Sequence, residues 1–154
     1  MNAKVLLDAK QIMEYIPHRP PFLFVDAIVE MDETRVLGRM TVTADMPLRH
    51  ETGNPAGIMP PILLLEAVAQ ASGVHAARHY GMKGKWIFVI GFDGVKLSRA
   101  PAVGETVFLE GRLLRFGGRI ARVHGRAYVE DESILDADIT ASVVDMPGGI
   151  RPPE

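Results

Sequence analysis

Residues 58–74 read IMPPILLLEAVAQASGV, apolar on nearly every side of a helix, which is the pattern of a buried helix rather than of a surface one. One carboxylate, Glu66, sits in its middle. The pattern predicts a helix over about 60–80, with prolines at its start and Gly81 as its carboxy-terminal cap. Upstream, Asp8 followed by Gln11 resembles a capping box, and Ile12, Met13 and Ile16 form one stripe. This predicts a short helix over 9–16, stopped by Pro17, Pro20 and Pro21. Residues 22–31 read as a strand, with 35–42 as its hairpin partner across Asp32, Glu33 and Thr34. Residues 43–57 form a long polar loop containing Pro47, Gly53, Pro55 and Gly57, and loops of that length in a compact domain are often functional. After the long helix, 86–90 and 92–97 read as one bent strand interrupted near Gly91. Three long strands follow at 106–116, 119–130 and 133–144, with Gly117-Gly118 as a two-residue hairpin turn between the first two. One long helix and several antiparallel strands are satisfied together by an α+β arrangement in which a curved sheet wraps the helix.

Composition narrows the function classes. The 154 residues suit one domain, predicted over 1–146, followed by a Pro/Gly-rich tail over 147–154 that is expected to be loose. A net charge of −2 argues against nucleic acid or an anionic membrane as the main partner. The absence of cysteine excludes disulfides, thiolate zinc sites and a cysteine nucleophile. No secretory-type segment or bilayer-length apolar run is present, so a cytoplasmic protein is expected. Phosphate-loop, dinucleotide-fold and nucleophile-elbow signatures are also missing.

The candidate chemistry gathers around Glu66. A carboxylate in apolar surroundings needs a partner or a proton. Leu63, Leu65 and Val68 surround it in sequence, so a raised pKa is expected, with Glu66 as a proton-transfer group at the end of an apolar pocket. The competing reading is a structural carboxylate held by a backbone group or an arginine. Gln70 lies four residues on, hence on the same helix face, as a ligand of the substrate region or as a satisfied interior amide. His50 is the one histidine of the long loop, either a base or a solvated side chain. His75 and His79 have zinc-compatible i, i+4 spacing, but without a third ligand nearby in sequence they read as surface or interface histidines. No metal or cofactor is called for. Met59, Phe22 and Phe24 read as core or tunnel wall. In the strand over 119–130, Arg122, His124 and Arg126 share one face and Ala121, Val123 and Ala127 the other.

These segments resemble the hot-dog family of 3-hydroxyacyl-[acyl-carrier-protein] dehydratases of the FabZ type. IPHRPPFLFVDAIVE is similar to that family's amino-terminal signature, LLLEAVAQASG to its central-helix signature, and IGFDGVKLSRAPAVGETV to the segment around its third strand. The chain also resembles the dehydratase-like proteins of aryl-polyene gene clusters, through Pro47-Leu48-Arg49 and through the helix segment from Ala69 to His75. The resemblance implies a cofactor-free lyase that converts a 3-hydroxyacyl thioester on acyl carrier protein to the trans-2-enoyl thioester. It implies Glu66 and His50 as the catalytic pair, contributed by different subunits. Gln70, Met59, Ile62 and Phe22 would bind substrate, and His18 would shape the fold. It further implies a homodimer or a larger assembly such as a trimer of dimers, or a heterodimer with another hot-dog subunit. The partner is an acyl carrier protein with its phosphopantetheine-linked acyl chain. The row Arg122, His124 and Arg126, with Lys96 and Arg99, is then either a solvated sheet face or a basic landing strip for that acidic carrier.

Two departures from the family pattern keep other functions open. The family loop reads Gly-His-Phe-Pro-Gly, whereas here Phe-Pro-Gly is missing and His50 lies two residues further from the helix. The glycine whose N–H holds the thioester oxygen is replaced by Pro61, which has no N–H; the N–H of Ile62 is the next available. A hot-dog thioesterase and a non-catalytic partner subunit of a dehydratase heterodimer are therefore the alternatives.

Overall fold

A computed structural model of the chain describes residues 4–46 and 57–145. The tail predicted over 147–154 lies outside the described residues. In chain order the elements are β1 (Leu7–Asp8), α1 (Ala9–Ile12), β2 (Ala27–Met31), β3 (Arg35–Thr41), α2 (Pro61–His79), β4 (Lys85–Leu97), β5 (Thr106–Phe116), β6 (Ile120–Val129) and β7 (Glu132–Asp145). The strands form one seven-stranded antiparallel sheet in the order β1-β2-β3-β5-β6-β7-β4. Helix α2 packs on its concave side, chiefly against β5, β3 and β6. This is the expected α+β, hot-dog arrangement.

The helix sits unusually close to the sheet because glycines face it. A Cβ on Gly125 would lie 2.7 Å from Val68 Cγ1, one on Gly38 would lie 3.2 Å from Ala71 Cβ, and one on Gly111 would collide with the Ser72 hydroxyl. Gly111 and Gly125 are direct cross-strand partners. With no side chains between them, backbone and helix pack to interior density. Leu63, Leu64, Val68, Ala71 and Val74 of α2 are buried there with Ile28, Val36, Leu109 and Ile134. No helix among the described residues is long and apolar enough to cross a membrane.

Several boundaries differ from the sequence reading. The Asp8–Gln11 capping box is present in both directions, but regular helix ends at Ile12 and the chain continues in turns to Ile16. The strand expected from residue 22 begins at Ala27. Its leading residues bond elsewhere: Phe24 N–H and Phe22 C=O are both taken by the side chain of Gln70. The bend in β4 is real, with register shifts between Val89 and Gly91 and again between Asp93 and Lys96. His75 is not a surface residue. It is buried under the β2–β3 turn, where its Nε2 lies 2.8 Å from the Asp32 carbonyl. Tyr80 closes the same corner by donating to the Glu33 carbonyl.

Burial pushes the His75 imidazole below its ordinary range, and the charge of His79 adds to this against the opposing pull of the Asp32 carbonyl. The unfolded chain therefore takes up this proton first. The stability that His75 contributes is full above about pH 6.5 and is lost as pH falls through the lower folded value. The urea midpoint is expected to fall between pH 7.5 and pH 5.5, and His75→Gln should flatten that slope. An unchanged slope in the variant would show that the ring plays no part in it.

Candidate active site

Along α2 the residues Ile62, Glu66, Ala69, Gln70 and Gly73 recur at helical spacing and form the stripe that is not pressed into the sheet. Opposite this stripe run the segment around residues 15–18 and the first half of β4. Between them lies a cleft of about 390 Å³ whose walls include Tyr15, His18, Glu66, Gln70, Trp86 and Phe88. The Trp86 and Phe88 rings are parallel within 5°, their centres 5.8 Å apart. A smaller hollow of about 170 Å³ adjoins the cleft across Tyr15 and Trp86 and carries Arg19 and Lys83.

Glu66 is half-buried, its side chain 27% exposed. Its Oε1 lies 2.9 Å from Gln70 Nε2, which donates to it, and 3.2 Å from His18 Nε2. Gln70 is itself 2% exposed and fully engaged: its Nε2 also donates to the Phe22 carbonyl at 2.9 Å, and its Oε1 accepts from Phe24 N–H at 2.9 Å. Arg19 steadies the turn that carries His18 by donating to the carbonyls of Ile16 and His18. The raised pKa expected for Glu66 is not found. Burial does push the carboxyl up, but the hydrogen bonds from His18 and Gln70 and the charge of His18 outweigh it, leaving the group below its ordinary value. Glu66 is therefore a carboxylate at rest near neutral pH.

The structure brings together Glu66 and Gln70 of the candidates. Phe22 joins them through its carbonyl, while its ring packs edge-on against Phe24. Ile62 lies one turn before Glu66 and is 60% exposed. Met59 is buried in the core rather than placed on the cleft wall. His50 lies outside the described residues. Helix α2 does open with Pro61, and the Pro60 carbonyl accepts from Leu63 N–H. His18 was read as structural; the fold instead sets it against Glu66, and the sequence offered no spacing signal for a contact spanning that distance in the chain.

The basic row on β6 is neutralised. Register places it beside the acidic residues of β7, so that Arg122 pairs with Asp138, His124 with Asp138 and Asp136, and Arg126 with Asp136. Arg99 is likewise paired, with Glu105 and Glu132. This is a charge-matched sheet face rather than a cationic strip. His75 Nε2 is committed to a backbone carbonyl, and no group of three metal-binding side chains occurs among the described residues.

A curved sheet around a central helix defines a hot-dog protein, here with a half-buried carboxylate on the helix face turned to the cleft. The ApeP-like family, described as ApeP dehydratase, matches residues 10–100. The 3-hydroxyacyl-[acyl-carrier-protein] dehydratase FabZ of Listeria monocytogenes is 34% identical over 143 residues, 92% of this chain and 99% of that protein. The FabZ of Thermus thermophilus is 38% identical over 137 residues, 87% of this chain and 95% of that protein. Among solved structures, the dehydratase heterocomplex ApeI:P from Xenorhabdus doucetiae superposes with a TM-score of 0.74 at 18% identity, covering 90% of this chain and 91% of that one. A hypothetical thioesterase protein with coenzyme A from Streptococcus pneumoniae superposes with a TM-score of 0.60 at 14% identity, covering 79% of this chain and 87% of that one. The chain belongs to the FabZ and ApeP-like family of hot-dog dehydratases.

Because one amide satisfies Phe22, Phe24 and Glu66, Gln70→Leu should leave a buried Phe24 N–H and a half-buried Phe22 carbonyl without that partner. The expected loss is about 2–3 kcal/mol in equilibrium urea unfolding. Unchanged stability would mean that these bonds are replaceable.

Proposed function

We propose that the chain is a hydro-lyase that interconverts 3-hydroxyacyl and trans-2-enoyl thioesters carried on the phosphopantetheine of an acyl carrier protein. The observation that carries this reading is Glu66, a carboxylate anchored on one oxygen in the wall of a cleft that Trp86, Ile87, Phe88 and Val89 close on the opposite side. Dehydration breaks the C3–O bond, and the hydroxyl takes a proton from the Glu66 carboxyl and leaves as water. A base removes the C2 proton, and its bonding electrons form the C2–C3 double bond. In the hydration direction the Glu66 carboxylate takes a proton from the attacking water, so the resting ionised form is the competent one for that half of the cycle. His50 is the base assigned by family resemblance.

The assembly we propose is a dimer through β4. This strand is the sheet edge on its side, and it exposes Phe88, Val89, Ile90, Val95 and Leu97. An exposed apolar edge strand is a template for pairing with a second copy or with a related subunit. The cleft lies against that edge, so a partner covering β4 would also wall the site.

A second reading rests on Pro61. Without an N–H at the first position of α2, the chain lacks one donor for the thioester oxygen, a loss worth on the order of a hundredfold. On that reading the chain needs a second hot-dog subunit for full activity, and adding one raises the rate.

Glu66→Gln is expected to cut hydration of an enoyl thioester, followed at its absorbance band, by about a thousandfold while the protein sediments as the same dimer. Full activity in that variant would remove Glu66 from the chemistry. A stable monomer in equilibrium sedimentation would contradict the β4 assembly, and release of free thiol from an acyl thioester would favour hydrolysis.

A further inference from the structure

His18 belongs to no helix or strand, and the family signature around it gives it no chemical task, yet its ring closes on Glu66. Three observations define what it can do there. Nε2 lies 3.2 Å from Glu66 Oε1. That same oxygen also accepts from Gln70, so among the described residues both bonds fall on Oε1. The ring's other nitrogen, Nδ1, is buried with no hydrogen-bond partner.

With Nδ1 unpartnered, the ring makes its hydrogen bond through Nε2, whose proton faces the carboxylate. Two donors on one oxygen fix the torsion of the side chain, and among the described residues Oε2 takes neither of these bonds and is the oxygen assigned to exchange a proton with a ligand. Arg19 bonds the His18 carbonyl and so steadies the backbone that carries the ring.

We infer that His18 is a positioning residue, acting through its Nε2–H to lock Glu66 so that a single carboxylate oxygen serves the reaction. The inference rests on the hydro-lyase reading of Glu66. It does not make His18 the base, since Nε2 is turned to the carboxylate and Nδ1 is buried. The other titratable and charged groups around the cleft are otherwise engaged: Lys85 pairs with Asp145, Arg19 with two backbone carbonyls, and Tyr15 lies beneath Lys83.

Glutamine and asparagine separate the possibilities, because a glutamine amide nitrogen falls where Nε2 stands and an asparagine nitrogen where Nδ1 stands. The readouts are the pH profile of enoyl-thioester hydration and the titration of Glu66 by carbon-13 NMR on glutamate-labelled protein, with Glu66→Gln identifying the resonance. His18→Ala and His18→Asn should raise the Glu66 titration and the acid limb of kcat by about one pH unit. They should lower kcat at pH 7.5 by about tenfold, with KM changed less than about threefold. His18→Gln should return both the limb and kcat to near the native values. Native titration and native kcat in the alanine and asparagine variants overturn the inference, and so does a glutamine variant that behaves like alanine. The NMR arm reads the contact even if the isolated chain turns over slowly. A fully active Glu66→Gln would sink the hydro-lyase reading while leaving the titration result to stand alone.

Discussion

The arrangement hangs on one primary amide. Gln70 ties residues 22–24 to the long helix, and the same nitrogen holds the carboxylate of Glu66. A side-chain amide has two donors and one good acceptor to offer, and here all its polar atoms are engaged in a site 2% exposed to solvent. This explains why the strand after Pro21 starts late: its first residues are paired to the helix before they can pair to the sheet. It also explains why Glu66 sits in one place. The helix stripe, the incoming chain and the Glu66 carboxylate are three features of one hydrogen-bonded unit, so each constrains the other two.

Much of the fold could be read from periodicity. The all-round apolar character of 58–74 marked α2, the Gly117-Gly118 turn marked the β5–β6 hairpin, and the break at Gly91 marked the bend in β4. These are local signals, set by residues adjacent in the chain. The features that escaped are long-range. His18 meets Glu66 across 48 positions, and Gln70 takes the backbone of Phe22 and Phe24 across a similar span. Nothing in a window of residues announces such pairings. The burial of His75 was missed for the same reason, because the cover is the β2–β3 turn, far away in sequence.

The charge pattern teaches a related lesson. Arg122, His124 and Arg126 look like a cationic stripe when β6 is read alone. Antiparallel pairing sets them beside Asp136 and Asp138, and the stripe becomes a ladder of opposite charges. Such exposed pairs add little stability individually, but they remove the long-range positive field that a docking strip would need.

The lowered pKa of Glu66 reshapes the chemistry rather than opposing it. A carboxyl raised by apolar walls would rest protonated, holding a proton ready for a leaving hydroxyl. Here burial is overruled by two donors on one oxygen, so the group rests ionised. An ionised, fixed carboxylate is poorly suited to wait as an acid but well suited to accept a proton from water beside an enoyl thioester. The equilibrium between hydroxyacyl and enoyl forms is unaffected, since the enzyme lowers one barrier for both directions. What changes is the protonation state from which each direction starts, and dehydration must begin with the minor, protonated form. Pro61 removes one backbone N–H at the start of the same helix, so the helix that carries the anchored carboxylate also opens with one donor fewer.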